Sequence, residues 1–343
     1  MKTLLSEKKL AQQFLHDIES IATQLIQVYS LKFRQQVDTL SSPIMRWLDF
    51  RFRYIDPFPR GVVYSSKFPK SDLPPKAANA LLKIVRLIKS GSDINPYQGR
   101  GLILRNDSSG ESKVTRTDLL WANWGIHHFH LSDDPIPSDR YFSKPADYLL
   151  FCLVGGDVVA LIDVIPHPDK EGFSNPDLID TVFENWPGFM EHFHLPDLLP
   201  GDVYTQQEIR GHWINGLQVS LSYKGKVYMG PGLGITTASV PVKLISAHGH
   251  LLALIKDLAE LTCDPIGPFR TPEINELSCT PRFSISLTPK GLAVFEHETL
   301  QAFLLPTPPI LGSTRNPLET IPDLMLPEWA RLQMIGHSQV TNT

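Results

Sequence analysis

Apolar side chains near the start of the chain recur at helical spacing. Leu10, Phe14, Ile18, Ile21, Leu25 and Val28 fall three or four apart, which predicts one or two amphipathic helices up to about residue 50. The run WLDFRFRYIDPFPR, Trp47 to Arg60, instead alternates rings with arginines and closes on prolines, a pattern that predicts extended chain. PPKAANALLKIVRLIK, Pro74 to Lys89, reads as a helix, with prolines tolerated in its first turn and Gly91 as its stop. A polar connection then leads to Gly110.

The clearest strand signals lie in the middle. Trp124 to Leu131, Tyr148 to Val154 and Val158 to Ile165 are short β-rich runs, the last two joined by Gly155, Gly156 and Asp157 as a hairpin whose glycines are free to take positive φ. Ser174 or Asn175 caps a following helix with Pro176 at its first position, which ends near Trp186-Pro187. A second hairpin is expected around Lys224-Gly225, followed by the loop GPGLGITTAS and a long helix from Val242 to Leu261. The stretch from Leu304 to Pro327 is rich in proline, and the end of the chain is expected to wrap the surface or fray.

These elements predict an α+β fold: N-terminal helices, a central twisted antiparallel sheet carrying a histidine-bearing strand, and a second hairpin with a long helix. Four regions follow in chain order: 1–100 helical, 101–200 the α+β core, 201–265 hairpin, glycine-rich loop and helix, and 266–343 rich in proline. A length of 343 residues is too great for one small core. The net charge of -4 gives no overall attraction to nucleic acid or acidic membranes, so any basic binding surface must be local. Cys152, Cys263 and Cys279 have no metal or redox spacing and suit free thiols in a reducing compartment. Charged residues interrupt the opening segment and no apolar run spans a bilayer, so the expectation is a cytoplasmic protein with no membrane partner.

The feature that suggests chemistry is GIHHFHL, residues 125–131. On a strand, alternation places His128 and His130 on one face with Ile126, and His127, Phe129 and Leu131 on the other. Phe129 and Leu131 mark a core side, which makes His127 structural and leaves His128 and His130 facing solvent. Two uses compete. Paired imidazoles can bind a metal, with Asp133, Asp134, Asp163 or His167 completing the shell. They can also act as general base and acid, with His167 in support and Arg140 stabilising charge. The H-x-H of metallo-β-lactamase-like hydrolases is followed by x-D-H, and here His130 is followed by Leu-Ser-Asp-Asp. Acid–base chemistry without metal or cofactor is therefore the leading expectation.

Residues 115–190, with GIHHFHL, Arg140, the hairpin DYLLFCLVGGDVVALIDV, His167 and a helix ending in NWP, resemble bacterial ribonuclease toxins of the barnase, EndoU and RelE-like fold. The resemblance implies a small antiparallel sheet presenting histidines and a cation to RNA. It also implies a role as toxin or in antiviral defence, in which a neutralising antitoxin or regulatory protein is a natural partner. Local phosphate or RNA contacts are expected from Arg51 and Arg53 among aromatic rings, and from Gly232, Gly234 and Thr236 in the loop before the long helix. That loop lacks a P-loop lysine. A metal-dependent hydrolase using the same histidines and a non-catalytic subunit of a defence or regulatory complex are the alternatives. No G-x-S-x-G elbow, H-E-x-x-H motif or dinucleotide fingerprint occurs.

Overall fold

A computed structural model of the chain describes residues 6–168, 172–306 and 316–341. The fold is mixed α+β. The chain forms two compact units, Phe52–Ile245 and a second that joins the segment up to Arg51 with the segment from Ser246 onward. The four consecutive regions expected from the sequence are therefore not the units of the fold. The reason is that the first helix packs against a strand and helices near the other end of the chain.

The unit Phe52–Ile245 is organised by a four-stranded sheet of β1 (Gly61–Tyr64), β2 (Ile126–His130), β3 (Tyr148–Val154) and β4 (Val158–Pro166), in the order β1-β4-β3-β2. β3 runs antiparallel to both β2 and β4, but β1 pairs parallel with β4. The expected wholly antiparallel sheet is thus a mixed one, because the chain enters β1 long before the hairpin and reaches its edge from the opposite end. In the β3–β4 turn Gly155 N–H donates to Val158 O at 2.8 Å, and neither glycine takes positive φ. The hairpin therefore closes without the left-handed residue anticipated for it.

Both faces of this sheet are covered. Ile126, Leu149, Phe151 and Ile162 pack against Leu178, Ile179, Val182 and Phe183 of the helix Pro176–Asn185. Phe129, Leu150, Cys152 and Leu161 pack against Ala77, Ala80, Ile84 and Ile88 of the helix Pro75–Ser90. Asn175 caps the first of these helices through Asp177 N–H, as its sequence predicts. A two-stranded ribbon of β5 (Leu221–Tyr223) and β6 (Lys226–Tyr228) turns at Lys224 and Gly225, both with positive φ.

In the other unit, β7 (Phe283–Thr288), β8 (Gly291–Glu296) and β9 (Gln301–Leu304) form an antiparallel meander. The helix Glu7–Val28 buries Leu10, Phe14, Ile18, Ile21 and Leu25, and its Asp17 accepts Ile285 N–H at 2.8 Å. Of the proline-rich stretch, residues 307–315 lie outside the described residues. Pro317–Met325 is a helix with six buried residues, capped by Asn316. This part of the chain is core, where fraying was expected.

Trp47 to Arg60 also departs from expectation, since Pro43–Arg53 is helical. Ile44, Trp47, Leu48 and Phe50 are all buried, so helical spacing of the large groups outweighs the two-residue alternation of rings and arginines. Trp47 Nε1 donates to Leu324 O at 3.0 Å. No helix among the described residues is long and apolar enough to cross a membrane.

Candidate functional site

The three histidines singled out in the sequence meet where the C-terminal end of β2, the start of β3 and the end of β4 converge. His128 and His130 lie two apart on β2, with ring centroids 6.3 Å apart. The His130 and His167 rings stack at 5.7 Å. His167 follows β4 and is held by its own N–H, which donates to Asp147 O at 2.6 Å. Phe173 lies among them, 5.1 Å from His128 and 6.0 Å from His167. The register pairs His128 with Phe151, and their rings approach to 6.2 Å. His127 points the other way and meets the Trp121 ring edge-on at 6.5 Å. The division of the histidines between faces follows the period of a strand. Their expected exposure does not: the face carrying His128 is covered, and its side chain is 21 % exposed. His167 is the member of the group that meets solvent.

Hydrogen bonds set the imidazole tautomers. Ala146 N–H donates to His130 Nδ1 at 3.3 Å, so the neutral ring carries its proton on Nε2. His167 Nδ1 lies 3.0 Å from Pro168 O. A carbonyl only accepts, so this nitrogen bears a proton, and Nε2 is the nitrogen left to exchange one. His128 Nδ1 is buried and without a hydrogen-bond partner among the described residues, with Asp118 Oδ2 3.6 Å away. That separation is about 0.6 Å longer than a hydrogen bond, and catalytic contacts of this kind commonly tighten when a substrate binds. Asp118 is fixed independently, as the cap of the helix Leu119–Trp124, by accepting Leu120 N–H and Trp121 N–H at 3.0 and 3.2 Å.

Electrostatics keep the enclosed rings neutral. Burial pushes His130 down to about 4, helped by His128 and His167. Burial also lowers His128; Asp118 opposes that shift, while His167 and Arg105 reinforce it. On the other face, burial and then Lys243 push His127 down to about 3.

Arg140 does not join the group. It lies exposed in a turn whose N–H donates to Pro137 O, and the cation whose field reaches His128 is Arg105. Arg105 follows the short helix Gly101–Leu104 and is exposed. Just before it, Gly99 has φ 80°, and a Cβ there would lie 3.1 Å from His130 Nε2. The positive φ favours glycine here, and the backbone approaches the imidazole closely.

The expected phosphate contacts are spent inside the protein. Arg51 is 1 % exposed, donates to Asp323 O and pairs with its carboxylate at 3.4 Å. Arg53 is buried and donates to Leu102 O. In the glycine-rich loop, Gly232 N–H donates to Asn123 O, Gly234 N–H to Ala122 O and Thr236 N–H to Val240 O. A Cβ on Gly230 or Gly232 would collide with backbone oxygen of the helix Leu119–Trp124. These glycines let two backbones touch, and the N–H groups of Gly232, Gly234 and Thr236 are already taken by carbonyls within the protein.

The alternative metal shell is not assembled either. Asp134 pairs with Lys144, Asp163 with Lys67 and Lys70, and Asp133 accepts from Asn79. Among the described residues no group of three His, Cys, Asp or Glu side chains is placed to hold a metal ion.

Asp118, Phe173, Arg105 and Gly99 are the members of the site that sequence reasoning missed. Asp118 alone left a trace, as an aspartate directly ahead of the apolar run LLWANW. No protein family model matches the chain, and no match was found among curated proteins or solved structures.

Proposed function

We propose that His128, His130 and His167 form the acid–base centre of a ribonuclease, in which the substrate's own 2′-hydroxyl attacks the adjacent phosphate. The observation that carries this reading is the gathering of three imidazoles at one sheet end, one of them beside a carboxylate. His128, with Asp118 behind it, takes the proton of the attacking hydroxyl through Nε2. His167, at the solvent side, acts in its doubly protonated form: Nδ1–H stays on the Pro168 carbonyl and the Nε2 proton goes to the leaving oxygen. His130 lies between them and offers Nε2–H to a non-bridging oxygen, where neutrality lets it donate without competing for the proton. Arg105 takes the charge-stabilising part expected of Arg140.

RNA incubated with the purified chain in the presence of a chelator tests this proposal. Cleavage by the wild type should fall roughly 100- to 10,000-fold in His128→Gln and His167→Gln, the range for loss of a proton-transfer group. Glutamine is preferred to alanine because the His128 ring is packed against Phe151 and Phe173. Absence of cleavage by the wild type, or full activity in both variants, would overturn the proposal.

A further inference from the structure

The glycine-rich loop also positions the residues that follow it. Its contacts with Ala122 and Asn123, together with Val242 N–H donating to Gly234 O, fix where the next helix, Val242–Cys263, begins. Val240 and Leu244 are buried on either side. Lys243, between them, is therefore held with Nζ 4.4 Å from the centre of the Trp121 ring. No carboxylate or hydrogen-bond acceptor pairs with this ammonium among the described residues. Besides His128, the groups whose fields converge on the neighbouring His127 are Arg53 and Arg60, both cations. A half-buried lysine in such a place lacks the acid that ordinarily balances one.

We propose that Lys243 is a nucleophilic amine site for small carbonyl compounds, which it binds as an imine against the face of Trp121. This site is independent of the histidine cluster. The cation–π contact favours the ammonium, but burial outweighs it and pushes Lys243 down to about 8. A much larger share of the amine is then free at neutral pH than for a solvated lysine near 10.4. The free amine adds its lone pair to the carbonyl carbon. The resulting carbinolamine loses water, so the C=O bond is exchanged for C=N with no net oxidation or reduction. The indole face supplies an apolar wall that excludes water from the adduct.

The test is competitive labelling of the full chain with propanal and cyanoborohydride near pH 7, which delivers hydride to the imine and leaves a stable propyl-lysine for peptide mapping. Lys243 should be modified at least about 10-fold faster than the exposed Lys8 and Lys76. Lys243→Arg should abolish that fast phase and leave the slow labelling unchanged. Labelling of Lys243 at or below the rate of Lys76 in the wild type overturns the proposal without reference to any variant's folding. Loss of RNA cleavage in the histidine variants leaves this outcome untouched.

Discussion

Acidification should destabilise the unit Phe52–Ile245 through histidines that folding holds neutral. His127 is lowered to about 3 and His130 to about 4, against an ordinary value of 6.5. Between those values and 6.5 the unfolded chain binds protons that the folded chain refuses, so stability rises with pH. The contribution is whole above 6.5 and is lost as pH falls towards 4. At about pH 5 an unfolded histidine gains about 2 kcal/mol from protonation that neither folded ring can match, so the pair costs about 4 kcal/mol relative to about pH 7.5. Urea denaturation followed by circular dichroism at the two pH values measures the difference. His130→Gln should remove about 2 kcal/mol of it, because that group no longer titrates while His127 and His128 still do. A wild type equally stable at both pH values, or a variant with the wild-type pH slope, would show that folding does not hold these rings neutral.

Gly232→Ala should cost about 1–3 kcal/mol of stability by thermal denaturation, because the added methyl meets the Ala122 backbone, and should leave RNA affinity unchanged. Arg51→Ala should cost about 3–5 kcal/mol by leaving the buried Asp323 carboxylate without its charged partner, again with no selective loss of RNA cleavage. Asp118→Asn keeps a helix cap but removes the charge that favours protonated His128, so kcat should fall about 100-fold with the melting temperature nearly unchanged.

Local signals were legible where neighbouring residues decide the structure. The cap at Asn175, the Lys224-Gly225 turn and the alternation that separates His127 from His128 and His130 all depend on residues a few positions apart, and all are present in the fold. What a long-range partner decides was not legible. Arg51 resembles a surface cation until Asp323, far along the chain, covers it. The glycines of GPGLGITTAS suit a phosphate loop until the helix Leu119–Trp124 takes up the N–H groups of Gly232 and Gly234. The same limit applies to the site. Strand period places the two β2 histidines together, but nothing local foretells that Phe173 and Asp118 close around them, or that the nearby cation is Arg105 in place of Arg140.

On the proposed reading, His128 and His167 move protons during cleavage by a 2′-hydroxyl. Its most direct test is product analysis on an RNA oligonucleotide and on the same oligonucleotide with 2′-deoxyribose at the cleaved position, both with chelator present. The expected outcome is 2′,3′-cyclic phosphate ends from the RNA, no cleavage at the deoxy position, and loss of the product in His128→Gln while near-ultraviolet circular dichroism stays that of the wild type. Cleavage at the deoxy position, or undiminished cyclic-phosphate product from His128→Gln, would contradict it.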